Sequence, residues 1–275
     1  MAQSGKEQGL VRRHDVASYF VLTFAISWLG ALAVVAPRLL RGEPVPKFSG
    51  ILMFPVMLLG PAVSGILLTR VVDGAGGLQD LFSRMRRTRA GAPWYATLLI
   101  PPALIFIVLL CLQTLVSPVY APNRFFVGVS FGIVAGWLEE IGWTGYAFPK
   151  MARTGNRLGA AIALGVLWGA WHIPVIDYLG TATPHGAHWL GYFLAFTAAM
   201  TAMRVLIAWI YVNTKSLALA QFMHASSTGS LVVLSPGAVT ARQETAWYTV
   251  YAVALWLVVG LVAARYGPQL TREKA

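Results

Sequence analysis

Apolar residues fall into eight long runs, near 16–37, 50–71, 93–117, 125–148, 157–178, 189–212, 216–235 and 244–266. A helix needs about 20 such residues to cross roughly 30 Å of hydrocarbon, and only a closed hydrogen-bonding element survives there. The pattern predicts an all-α polytopic membrane protein with about eight transmembrane helices. Proline and other turn formers mark the breaks at 37–49 and 118–124, whereas the sixth and seventh runs are parted only by Asn213, Thr214 and Lys215. One membrane domain is expected over 16–267, with an N-terminal tail at 1–15 and a C-terminal tail at 268–275. There is no fixed-period repeat, low-complexity segment or soluble domain.

Composition agrees with this reading. Hydrophobic residues make up 57% of the chain and charged residues 11%, and mean hydropathy is +0.65. Such a chain is too apolar for a soluble domain of this length. The single cysteine, Cys111, excludes an intrachain disulfide and a cysteine-based metal site. The first run is too long for a signal-peptide core and lacks a small-x-small cleavage site, so it reads as a retained span.

The net charge of +11 does not point to nucleic acid, because the basic residues sit mainly at the ends of apolar runs and no basic domain lies outside them. They bear on orientation instead. With the N-terminus inside, the inner segments hold fifteen Lys and Arg, the outer segments five, and Arg204 falls within a span. The asymmetry predicts that both termini are cytoplasmic. In the second inner loop, Leu78, Leu81, Phe82 and Met85 recur at helical spacing beside Arg84, Arg86, Arg87 and Arg89. That stretch reads either as a short helix on the membrane surface or as a solvated basic loop. The loop at 180–188 carries His185 and His188 among Gly and Pro, a context that favours an irregular external loop over a metal site.

The chemistry concentrates in FGIVAGWLEEIGWTGYAFP, from Phe131 to Pro149. Of the ten acids, only Glu139 and Glu140 sit well inside a span. A carboxylate at bilayer depth costs several kcal/mol unless paired, protonated or hydrated. His172 in VLWGAWHIPVI and His224 in ALAQFMHASSTGS have similar surroundings. Glu139 lies roughly 13 Å from the inner end of its span, at about 1.5 Å per residue, and His224 comes to a similar depth. His172 lies roughly 22 Å into its own span by the same rise. Residues four apart share a helix face, which pairs Glu140 with Thr144, Trp168 with His172 and His224 with Thr228. Successive residues are offset by about 100°, so one glutamate does the chemistry and the other orients or supports it.

Glu139-Glu140-x-x-x-Thr144-Gly145, then Trp168-x-x-x-His172-x-Pro174, then His224-x-x-x-Thr228 resembles the CPBP family of intramembrane proteases. That family includes CAAX prenyl endopeptidases of the Rce1 type and the Abi proteins of bacteriocin processing and self-immunity. The resemblance covers about 78–235. The family pattern is Glu-Glu-x-x-x-Arg, Phe-x-x-x-His and His-x-x-x-Asn, so Thr144 stands for Arg, Thr228 for Asn, and Trp168 for Phe as one aromatic for another. The resemblance implies an active site in a helical bundle inside the bilayer. In it Glu139 is the general base, His172 its partner, His224 an oxyanion donor, and Thr228 a donor of shorter reach than an amide. It also implies a multi-pass protein of a bacterial plasma membrane, acting on a membrane-associated peptide or protein.

Peptide hydrolysis in a membrane needs a polarised water, a base for its proton and donors for the oxyanion. Glu139, His172 and His224 also have the ligand types of a catalytic zinc shell, but there is no His-Glu-x-x-His, so a divalent metal would require three helices to converge. With the family Arg absent, Arg204 has the depth to supply a positive charge to Glu140 from another helix, or else to snorkel towards headgroups. Two other functions remain open: a non-catalytic membrane scaffold or immunity protein with the same fold, and a proton-coupled transporter. Against the transporter, no inverted repeat or pair of broken spans is visible.

Overall fold

Each predicted run becomes helix, in a computed structural model that describes residue 9 and residues 11–271. The parts of the predicted tails at 1–8, 10 and 272–275 lie outside the described residues. In chain order the helices are α1 (Asp15–Leu39), α2 (Lys47–Met57), α3 (Leu59–Leu68), α4 (Gly74–Met85), α5 (Ala92–Ala96) and α6 (Ile100–Leu115). There follow α7 (Gly128–Gly142), α8 (Phe148–Met151), α9 (Arg157–Trp171), α10 (Trp189–Thr214), α11 (Leu217–Leu234) and α12 (Ala241–Tyr266). No strand occurs among the described residues.

Six helical stretches are long and apolar enough to cross a membrane: 15–39, 47–85, 92–115, 186–214, 217–234 and 241–266. The predicted fourth and fifth spans are built differently. Helix α7 passes into a π-helical turn at Trp143–Ala147 before α8. Helix α9 has 15 residues and stops at Trp171, so the run predicted to 178 is helical for only about two thirds of its length. Pro174 disfavours helical backbone at the residue before it, and His172 becomes the C-cap. The break between α10 and α11 is sharp: Lys215 takes a left-handed φ of 55°, and the Ser216 hydroxyl then accepts from the Leu219 amide to start α11.

Cross-links between helix ends define two faces. On one, Lys150 pairs with Asp15 and Asp73, Arg153 with Asp15, and Asn213 donates to the Leu270 carbonyl. The basic stretch before α5 belongs here. Helix α4 buries Leu81, while Arg84 reaches inward to the Tyr211 hydroxyl at 2.7 Å and the Gly145 carbonyl at 3.1 Å. On the opposite face, Lys47 donates to the Gly180 carbonyl, Tyr120 to the Gln243 carbonyl, and the Thr181 hydroxyl to the Pro236 carbonyl. His185 is buried there between Asp177 and Glu244, whereas His188 is exposed.

Helix α10 runs through the centre, with every residue from Ala199 to Val212 buried. Around it, α7 and α11 meet along Gly128, Gly132 and Gly136. A Cβ on Gly132 would stand 2.4 Å from the Ala225 carbonyl oxygen, and one on Gly136 2.5 Å from that of Gln221. In lipid, small residues at every fourth position let backbones approach and gain dispersion contact that larger side chains would block. The same approach brings the glutamates of α7 against His224 of α11. Gly132→Ala is therefore expected to cost about 1–3 kcal/mol, the usual range for overpacking, seen as a lower unfolding temperature in detergent. Gly260→Ala, whose added Cβ meets nothing within 4 Å, should leave that temperature unchanged.

Candidate active site

Glu139 and Glu140 are both buried, and they point to different partners, as their angular offset requires. Glu140 is the anchor of a polar cluster. Its Oε2 accepts from Arg204 Nη1 at 2.8 Å and from the Thr144 hydroxyl, and its Oε1 faces His224 Nδ1 at 2.7 Å. Arg204 is fully buried and so does not snorkel; it also reaches Thr144 Oγ1 at 3.3 Å. Thr144 and Arg204 together thus occupy the surroundings of Glu140 where the family pattern has an arginine on the same helix.

Glu139 is held by indoles. Its Oε2 accepts from Trp168 Nε1 at 2.7 Å and from Trp143 Nε1 at 3.1 Å. The π-helical turn, a common irregularity at functional sites, starts at Trp143, whose amide still bonds the Glu139 carbonyl and so keeps the two side chains one α-helical turn apart. The other oxygen, Oε1, lies 3.9 Å from His224 Nε2.

Trp168 is the hub of the site. Its edge meets the rings of His172 and His224 at centroid distances of 5.7 and 5.1 Å, and the Arg204 guanidinium lies over its face at 4.3 Å. Phenylalanine would keep the ring contacts but has no N–H for Glu139, so this exchange is chemical as well as steric.

The histidine tautomers follow from their neighbours. His172 Nδ1 is 2.8 Å from the Trp168 carbonyl, which only accepts, so Nδ1 carries the proton and Nε2 keeps its lone pair. His224 Nδ1–H donates to the Glu140 carboxylate, and its Nε2 is directed to Glu139 Oε1.

Glu139, His172, His224, Trp168 and Thr228 all line one cavity of about 380 Å³. Its walls are mainly apolar, from Phe54, Phe131, Phe196, Met200 and Leu231. Among the described residues no three His, Cys, Asp or Glu side chains are gathered closely enough to hold a metal. Glu139, His172 and His224 are therefore not gathered as a zinc shell as they stand.

The sequence reading brought forward the residues at the chemical end and missed Trp143 and the far rim of the cavity. At that rim Glu244, read as an ordinary span-end acid, is buried and accepts from the Thr181 and Ala182 amides, each at 2.8 Å. The available signal for Trp143 was its position four residues after Glu139.

Residues 102–230 match a family described as type II CAAX prenyl endopeptidase, Rce1-like. That stretch is Rce1-like in sequence. It contains all eight of the site residues predicted or compared with the family pattern, from Glu139 to Thr228. CAAX prenyl protease 2 of Methanococcus maripaludis is 31% identical over 97 residues, which is 34% of this chain and 35% of that relative. The match thus spans about a third of the curated relative's length.

The Glu140–Arg204 pair is completely buried, and breaking such a pair from one side strands the other charge. Arg204→Gln alone is expected to destabilise by about 3–5 kcal/mol, whereas Glu140→Gln with Arg204→Gln should recover part of that loss. Thermal unfolding in detergent measures both, and an additive double mutant would contradict the coupling.

Proposed function

We propose that this chain is an intramembrane endopeptidase that hydrolyses a peptide bond of a membrane-associated protein or peptide, with water activated by Glu139 and His172. The reading rests on one observation above all: Glu139 has one oxygen tied to two indole N–H groups and the other directed to His224 at the wall of a cavity that His172 also lines. The Rce1-like stretch and the name of the archaeal relative, a CAAX prenyl protease, support the same class.

In this mechanism Glu139 Oε1 takes a proton from water as the oxygen attacks the scissile carbonyl carbon. The lone pair on His172 Nε2 accepts the other water hydrogen and fixes its direction. His224, carrying both ring protons beside the Glu140 carboxylate, donates from Nε2 to the developing oxyanion, and Thr228 is within the same cavity to donate from its hydroxyl. Collapse of the tetrahedral intermediate breaks the C–N bond, and the proton on Glu139 passes to the leaving amine. Arg204 balances one carboxylate and the His224 imidazolium balances the other, so the cluster carries no net charge into the apolar interior. The whole core, on this reading, is one membrane domain over 16–267 with its CPBP-like part at about 78–235.

The test is cleavage of a membrane-embedded peptide library by the purified protein. Glu139→Ala should lower the rate by about 100-fold or more, the usual scale for losing a general base. Equal cleavage by wild type and mutant would exclude Glu139 as base. No cleavage by wild type, in a format where an active relative works, would favour the non-catalytic scaffold. A chelator arm separates a metal requirement from the Glu/His route. Trp168→Phe supplies a finer check: it should lower kcat about tenfold or more with little change in KM, because a hydrogen bond to an ionised group is worth about 1.5–3 kcal/mol. An unchanged kcat would show that the indole N–H does not position Glu139.

A further inference from the structure

The cavity and the basic residues lie at opposite ends of the molecule. Beyond its walls the cavity is lined by Lys47, Asn123, Gly180, Thr181, Ser235 and Gly237, all at the face where α2 and α7 begin and α11 ends. None of its lining residues belongs to the other face. Between Glu139 and that other face stand the buried rings of Tyr19, Trp143, Tyr146 and Phe148, with Tyr19 against Trp143 and Tyr146 at 5.6 and 5.4 Å. Arg84 bridges Gly145 to Tyr211, and Lys150 joins Asp15 to Asp73, below them. The end remote from the mouth is thereby closed.

Charge identifies the closed end. Twelve of the described Lys and Arg residues lie on the closed face and five on the face of the mouth, while Arg204 is internal. All the connecting segments are short enough for the positive-inside rule to apply, and the rule counts lysine and arginine alone. The closed, basic face is therefore the cytoplasmic one.

We propose that the scissile segment reaches Glu139 from the non-cytoplasmic face, so that the substrate is a membrane-anchored peptide exposed outside the cytoplasm, with apolar side chains flanking the bond to be cut. The substrate part of this inference rests on the endopeptidase reading; the direction of access does not. The apolar flanks follow from Phe54, Phe131, Phe196, Met200 and Leu231, which leave a side chain between the rim, where Lys47 stands, and the site itself no ionic partner. At the rim the segment Gly180–Ala182 is tied down by Lys47 from α2 and by Glu244 from α12, so the mouth has a fixed edge.

The experiment uses the full chain with its one cysteine replaced, Cys111→Ser, and single cysteines introduced as Asn123→Cys at the mouth or Arg87→Cys at the basic face, both exposed positions. Intact cells are treated with a membrane-impermeant maleimide, and labelling is expressed relative to permeabilised cells. Asn123→Cys should label at least about tenfold more than Arg87→Cys, since orientation set by charge is close to uniform. Equal labelling, or the reverse order, overturns the proposal. In a second arm, a peptide cut by the wild-type protein is offered to right-side-out and inside-out vesicles, with Glu139→Ala as control. Cleavage confined to right-side-out vesicles is expected, and cleavage confined to inside-out vesicles overturns it. If the purified wild-type protein cuts no peptide while the labelling ratio holds, the endopeptidase reading fails, with it the substrate part, and the outward-facing cavity stands.

Discussion

Everything at the centre of this protein depends on a carboxylate that cannot be left alone. Glu140 is removed from water on every side, and in hydrocarbon its charge is tolerable only because Arg204, Thr144 and His224 surround it at hydrogen-bonding distance. These partners come from three different helices, so the pairing also fixes how α7, α10 and α11 stand relative to one another. The hydrophobic effect cannot do this inside a bilayer, where lipid tails are as apolar as leucine.

Once that cluster is set, the remaining geometry is steric. The glycines of α7 allow the backbone of α11 to come close enough for His224 to lie between the two glutamates. Trp168, inserted from α9, meets both histidine rings and turns its N–H to Glu139. The division of labour between adjacent glutamates is thus a matter of helical phase. One side chain is saturated by charge, and its neighbour is held by neutral donors with one oxygen left towards the cavity.

Much of this was legible in the amino-acid order because membrane spans have a fixed length and buried charge is rare. Run lengths located the helices, and matching depths were enough to single out Arg204 as a candidate partner for Glu140. The fifth span was overextended because His172-Ile173-Pro174 is apolar enough to pass as helix, although proline prevents it. Trp168 looked interchangeable with phenylalanine because its hydrogen-bonding edge matters only when an acceptor is in place, and that acceptor is 29 residues away. Glu244 falls at a span end in the sequence; its burial among the Thr181 and Ala182 amides is a tertiary arrangement with no local signature. The Gly128, Gly132 and Gly136 spacing was present in the sequence as a close-packing signal and marks the contact that matters most.

The early end of α9 also affects the lipid. Fifteen helical residues rise only about 22 Å, against a hydrocarbon core of about 30 Å. Val166 is half exposed on this helix, so bilayer chains contact it directly. Where a protein's apolar wall is short, the leaflet beside it thins or the chains tilt, at a cost of fractions of a kcal/mol per Å. Thinning of this kind beside α9 would bring headgroups and their water closer to His172 than a uniform slab would.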